Sequence, residues 1–187
     1  MKEQLKKHIE TKVSLTDDEF LDVFLLFSAK KFKKNEFLIE EGQNVNEAYF
    51  IISGLLKLTY TDNSGKLHIV SFAMENWWES DFQAYFTKSK AMLSLQCLED
   101  AEVLCLSFEN YQKMCFEIPK MQLFLIKLSN ANFVASQQRI LSLLTSNAKE
   151  RYDQLIIKYP SLLQRVPKSQ LALYLGISRE TISRFSS

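Results

Sequence analysis

Arg179, Glu180 and Arg184, with the hydroxyls of Ser178, Thr181 and Ser183, crowd into a few positions near the C-terminal end of the sequence. If positions 179–184 form a helix, Arg179, Glu180, Ser183 and Arg184 lie on its solvent side and Ile182 lies beneath. An arginine fork pairs bidentately with O6 and N7 of guanine, and a glutamate accepts from N4 of cytosine. Ser178, Thr181 and the first amides of such a helix suit phosphate oxygens. The chemistry on offer is the reading of a nucleic-acid groove. It needs a positioning helix, and the preceding residues supply one. Ser169-Gln170 opens a helix that carries Leu171, Ala172 and Leu175 on one face, Gly176 ends it, and Ser178 caps the next. Ala172 permits close approach of two steeply crossing helices, Gly176 takes the left-handed turn position, and Ile182 fills the space between them.

Other chemistries find little support. His8 and His68 are the only histidines and stand far apart in sequence. A barrel enzyme's metal site wants several histidines with a carboxylate, so no metal and no cofactor are expected. No serine or cysteine has a supported histidine partner, and no Gly-rich phosphate loop is present. The chain reads as a non-enzyme. Cys97, Cys105 and Cys115 are too few and too odd in number for a disulfide framework. Cys97 and Cys105 fall in expected strands and read as core. No apolar run is long enough to span a bilayer and the charged N-terminus lacks a signal h-region, so the expectation is a cytoplasmic protein without a membrane partner. Net charge is +1, but from Lys149 onward seven basic residues stand against three acidic ones. A basic tail on a slightly acidic body suits a polyanion.

The remaining elements must carry that tail. Residues 1–29 read as helical, with Thr16 as N-cap and Glu19 closing a capping box. From Lys31 to about Phe108, short alternating apolar runs separated by Gly42, Gly54 and Gly65 read as six or more strands of a sandwich or barrel. Helical character returns at Phe108. From Pro119 to about 145 no glycine or further proline interrupts a helix of roughly 40 Å. Its apolar residues Met121, Phe124, Leu125, Leu128, Ala131 and Ala135 exceed what one face needs, so the helix is expected to pack on the β-domain and also on a second protomer. Pro160 and Pro167 punctuate short helices beyond it. The expected division is 1–117, a β-domain with an N-terminal helix; 118–146, a long dimerisation helix; and 147–187, a helix-turn-helix unit.

The stretch LALYLGISRETISR (171–184) resembles the helix-turn-helix of the Crp/Fnr regulator family, and YFIISGLLKLTYTDNSGK (49–66) resembles that family's cyclic-nucleotide-binding β-roll. The link KERYDQLIIKYPSLLQRVP (149–167) is similar to that of the short branch found in Bacteroidetes. The resemblance implies an α+β fold: an N-terminal double-stranded β-roll, a long dimer helix and a C-terminal helix-turn-helix. It also implies a transcription regulator that binds double-stranded DNA as a homodimer, with half-sites about 34 Å apart. Arg179, Glu180 and Arg184 match the family's base-reading positions, and Lys168, Ser169 and Gln170 begin the preceding helix near phosphate. RNA polymerase and an unidentified small-molecule effector are the further partners implied. With the chain ending at Ser187, the family's usual winged hairpin is expected to be absent or much reduced.

In the family's nucleotide-binding members a Gly-Glu pair opens a short helix, and an Arg-Ser/Thr-Ala some ten residues on holds the cyclic phosphate. Here Ser80-Asp81 and Ala91-Met92 stand at those places. Without the arginine a buried phosphate lacks its charge-assisted partner, which argues against cyclic AMP or cyclic GMP. No cysteine precedes Cys97, which disfavours an iron–sulfur sensor. The aromatic cluster Phe72, Trp77, Trp78, Phe82, Tyr85 and Phe86 either lines an apolar pocket or is simply core. The alternative function is a cyclic-nucleotide-binding sensor module that acts through protein–protein contacts, which would leave Arg179 and Arg184 without a task.

Overall fold

The computed structural model of the protein describes residues 1–185. Helices α1 (Lys2–Glu10) and α2 (Asp17–Phe24) come first. At the start of α2 the Glu19 N–H donates to Thr16 Oγ1 at 3.2 Å and the Thr16 N–H donates to Glu19 Oε2 at 2.7 Å, the expected reciprocal cap. The helical reading of residues 1–29 needs correction at its end, because Phe27–Phe32 forms strand β1. Its four central residues are exposed, so it lacks the alternation that reveals a strand. It is fixed by its antiparallel ladder to β8, from Phe27 opposite Leu106 to Phe32 opposite Ala101. Lys30 and Lys31 face solvent on this edge strand, a common protection against stray strand pairing, and they bridge to Glu47 and Glu102.

The other strands are β2 (Phe37–Ile39), β3 (Glu47–Ser53), β4 (Leu56–Thr61), β5 (Leu67–Ala73), β6 (Trp78–Glu79), β7 (Ser94–Cys97) and β8 (Ala101–Ser107), with helix α3 (Phe82–Thr87) between β6 and β7. They form two four-stranded antiparallel sheets, ordered β1-β8-β3-β6 and β2-β7-β4-β5. Ile39, Ile51, Leu56, Leu95 and Val103 meet between them as a dry core. Gly54 joins β3 to β4 at φ +101°, and a Cβ there would stand 2.6 Å from the Asp100 carbonyl oxygen, so this turn admits only glycine. Cys97 and Cys105 are core residues; burial pushes their thiols up to about 11 and about 12, which removes them from thiolate chemistry. His68 pairs with Asp62 at the β4–β5 hairpin, and His8 is wedged between Phe50 and Phe124.

Helices α4 (Phe108–Glu117), α5 (Pro119–Thr145), α6 (Ala148–Lys158), α7 (Pro160–Arg165), α8 (Lys168–Leu175) and α9 (Arg179–Phe185) complete the fold. Pro119, Pro160 and Pro167 sit at or just before helix starts, where a missing N–H costs nothing. The 27-residue α5 packs its first turns on the β-roll and α1. That corrects the expected dimer set. Met121 and Phe124 are buried in the protomer's own core with Leu5, Ile9 and Phe50, and Leu125 and Leu128 are half-buried against it. Met121 and Phe124 are thereby withdrawn from any partner, whereas Leu125 and Leu128 keep part of their surface exposed. Among the described residues no helix is long and apolar enough to cross a membrane, and no cluster of His, Cys, Asp and Glu is arranged to hold a metal.

Candidate nucleic-acid interface

Helices α8 and α9 pack through the residues expected from spacing. Leu171, Ala172, Leu175 and Ile182 are buried together with Tyr152 and Leu155 of α6, Leu162 of α7 and Val166. Gly176 ends α8 in the left-handed conformation at φ +66°, and the Ile177 N–H reaches back to the Ala172 carbonyl at 3.0 Å. Ser178 then caps α9, its Oγ accepting from the Thr181 N–H at 3.2 Å. With Ile182 held below, Arg179, Glu180, Ser183 and Arg184 stand exposed on the outer face, and Thr181 is half-buried. Neither arginine forms an ion pair among the described residues; Arg184 Nη2 donates only to Thr181 Oγ1, at 3.3 Å. The Glu180 carboxyl is held below its usual range by its own N–H and the Ser178 hydroxyl, so it is an acceptor at neutral pH. On α8, Lys168 and Ser169 are exposed, whereas Gln170 is half-buried with its Oε1 closed off from solvent.

Sequence reasoning missed how this unit is seated. Leu55, Ile69 and Phe72 of the β-roll join the core of the C-terminal helices, and the Phe72 and Tyr174 rings lie 5.1 Å apart. Arg165, at the end of α7, grips two loops of the β-roll. Nη1 and Nη2 donate to Glu75 at 2.8 and 2.9 Å, and Nε and Nη2 donate to Glu99 at 3.0 and 2.6 Å. Arg151 ties α6 to the turn, with Nε on the Leu175 carbonyl at 3.1 Å and Nη1 on the Ser146 carbonyl at 2.6 Å. The reading face remains outward while the opposite side of the unit is docked.

The sensor loop is closed upon itself. Ser80 and Asp81 are each 1% exposed. Asp81 Oδ1 accepts from the Ala84 N–H at 3.0 Å, capping α3, while Oδ2 accepts from the Met92 and Leu93 N–H groups at 2.8 and 3.0 Å. Three backbone donors that would otherwise seek an anion are thus satisfied by the chain's own carboxylate. Ala91 is buried and Met92 is exposed, so no cation stands at the place of the expected phosphate partner. Lys88 and Lys90 are exposed, and Lys88 Nζ lies 5.0 Å from the Phe108 ring centroid. The aromatic cluster is both core and wall. Trp78, Phe82, Tyr85 and Phe86 line a cavity of about 210 Å³ beneath α5. Phe72, Trp77, Trp78 and Phe82 also border a larger cleft of about 990 Å³.

Residues 29–117 match the family described as cyclic nucleotide-binding domain. The transcriptional activator protein Anr of Pseudomonas protegens is 24% identical over 92% of this chain and 74% of its own length. The anaerobic regulatory protein of Haemophilus influenzae is 26% identical over 83% of this chain and 64% of its own. The solved structure of FixK2 from Bradyrhizobium japonicum superposes with a TM-score of 0.72 at 16% identity, covering 86% of this chain and 82% of that one, and so shares the fold. A sensor β-roll, a long helix and a helix-turn-helix in one continuous fold, with regulators as relatives along most of its length, make the chain similar to transcription regulators of the Crp/Fnr type.

Proposed function

We propose that this regulator reads duplex DNA with the outer face of α9. In this reading Arg179, Glu180 and Arg184 contact base edges, and Ser178, Thr181, Ser183, Lys168 and Ser169 lie near the backbone. Gln170 takes no part through its enclosed oxygen. Residues 1–117 act as sensor, 118–146 as the dimer helix and 147–187 as reader, in a cytoplasmic, non-catalytic homodimer that meets RNA polymerase at its promoters. The observation that carries the reading is an exposed helix face with two arginines that form no ion pair among the described residues, set on a buried apolar underside. In this reading cyclic nucleotides are not its effectors, because Asp81 already accepts from the backbone donors of the sensor loop.

The test is selection of bound sites from random DNA, followed by titration of the selected site. A near-palindrome with half-sites about one helical turn apart is expected. Arg179→Ala and Arg184→Ala should each cost roughly 1–3 kcal/mol of specific binding with no loss of folding, and affinity should fall steeply with salt. A double variant that binds the selected site like the parent would remove α9 from the role.

A further inference from the structure

Glu79 and Ser71 close one side of the β-roll. Strands β6 and β5 each lie at the edge of a sheet, and no backbone ladder joins them among the described residues. Glu79 stands opposite Tyr49 of β3, and Ser71 stands opposite Leu58 of β4. Tyr49 and Leu58 belong to the core between the sheets, and directly opposed residues of a ladder share a face. Each edge strand thus turns one polar side chain inward, and the two meet. The Ser71 hydroxyl donates to Glu79 Oε2 at 2.5 Å, and the Ser80 N–H donates to Oε1 at 3.1 Å. The side-chain bond links the two sheets where no ladder does. Glu79 is buried, yet both residues border the cleft of about 990 Å³, a space that solvent can enter.

No cation neutralises this carboxyl. On β3 the Tyr49 hydroxyl donates to the Leu38 carbonyl at 3.2 Å, and Glu47 is bridged to Lys30. On β5 the one other titratable group is His68, paired with Asp62. Lys57 of β4 stands opposite Phe72, on the other face from Ser71. Before β6, Glu75 is held by Arg165; after it, Asp81 accepts from three backbone N–H groups. Across the cleft α5 carries Arg139, stacked on Tyr174, and α6 carries Arg151 and Lys158; none forms an ion pair with Glu79 among the described residues. Burial pushes the Glu79 pKa up to about 7. A protonated carboxyl both donates and accepts, which suits it to a hydroxyl, whereas an ionised one draws water to itself. We propose that Glu79 and Ser71 form a proton-operated clasp: the neutral carboxyl holds β5 and β6 together, and its ionisation lets this edge of the roll part and admit water. The sensor domain thereby responds to hydrogen-ion concentration, a signal that needs no bound molecule and does not depend on which bases α9 contacts.

Linkage gives the clasp its direction. In the parted edge Glu79 is hydrated and titrates at its ordinary 4.5; in the closed edge it titrates at about 7. The proton favours closure, and that preference falls tenfold per pH unit between the two values and levels off above the upper one. Hydrogen exchange of the full chain at pH 5.5 and pH 8, corrected for the intrinsic rise of exchange with pH, measures the parting. Protection of the amides at 71–73 and 78–80 should fall on the order of thirtyfold across that range and stay below that of β3 and β8, because the parting is local. Glu79→Gln keeps shape, donor and acceptor without the charge, and should hold its pH 5.5 protection at pH 8. Ser71→Ala removes the hydroxyl and leaves the carboxyl titratable, and should lose about fivefold protection at pH 5.5. Circular dichroism and melting show that each variant folds. The parent's own infrared difference between the two pH values should show one protonated carboxyl lost, and needs no variant. The proposal is overturned by a parent without that infrared change, by edge protection equal to that of β8, by a folded Glu79→Gln protein with the parent's pH dependence, or by a folded Ser71→Ala protein as protected as the parent. No arm of this experiment uses DNA, so its failure leaves the role of α9 intact, and loss of operator binding leaves the clasp intact.

Discussion

Glu79 is the carboxyl on which this fold imposes the largest upward change. It sits on β6 opposite Tyr49, is 8% exposed, and receives hydrogen bonds from Ser71 Oγ at 2.5 Å and the Ser80 N–H at 3.1 Å. Burial outweighs those two donors and pushes its pKa from 4.5 to about 7. The consequence for stability has a definite sign. The folded chain keeps the Glu79 proton up to about pH 7, the unfolded chain only to about pH 4.5. Stability from this group is therefore complete below the lower value and lost as pH rises through the upper one. Glu79→Gln should remove that loss, leaving the variant more stable than the parent at pH 8 by up to roughly 3 kcal/mol, at about 1.4 kcal/mol per unit. His8, whose pKa burial lowers, loses stability as pH falls, so the difference between variant and parent isolates Glu79 where the parent's profile alone does not. Urea unfolding at pH 5.5 and pH 8 measures it; an equal difference at both would show that Glu79 is not protonated in the fold.

At the level of elements, the seating of the reader depends on Arg165. The guanidinium bridges Glu75, at the end of the β5 turn, to Glu99, at the β7–β8 turn, and Glu75 Oε1 also accepts from the Gly54 N–H at 3.0 Å. Three loops at one end of the β-roll thus converge on one side chain of α7. Arg165→Ala removes four charge-assisted hydrogen bonds and leaves two carboxylates side by side. Because both glutamates are about one third exposed, water recovers part of the loss, and a cost of about 2 kcal/mol is expected, concentrated at the contact between the β-roll and the C-terminal helices. Hydrogen exchange should quicken in α8 and β5 while β3 and β8 stay protected; uniform quickening would mean that the clamp supports the whole fold. None of this was legible in the sequence. Elements with local signals were readable: the capping box at Thr16, the proline at 119, the glycine turns, the alternating strands and the Ala172–Gly176–Ile182 spacing. What escaped depends on partners far along the chain. Strand β1 exists through its ladder to β8, Arg165 finds carboxylates 66 and 90 residues away, and Asp81 meets the N–H groups of Met92 and Leu93 only after the loop folds back.

On the scale of the whole molecule, the proposed homodimer rests on α5. The stripe first expected to face a partner, from Met121 through Leu128, is spent on the protomer's own sensor, and Ala135 farther along lines the cleft; Ala131 is exposed. The helix carries a second stripe. Leu123, Ile126, Phe133, Ile140 and Leu144 are all exposed, with Phe133 at 63% and Leu144 at 78%, and with Asn130 and Gln137 they follow an alternating three-and-four spacing. That is the period of a coiled-coil seam, with Ile126, Phe133 and Ile140 in one heptad position and the two polar residues in the other, where they favour a single register. An apolar row of this length is not stably left in water. Phe133→Glu together with Ile140→Glu should therefore convert a dimer into a folded monomer in sedimentation, whereas Ala131→Glu should disturb association little. The monomer tests the coupling between scales. If two readers act through one rigid helix pair, separating them removes the effective concentration that joins the half-sites, and affinity for the full site should fall by about 10² or more while each α9 is unchanged. The salt slope should drop to about half, because only one set of phosphate contacts remains. A monomeric double variant that kept the parent's affinity and slope would mean that one reader suffices and that the seam on α5 serves something other than DNA.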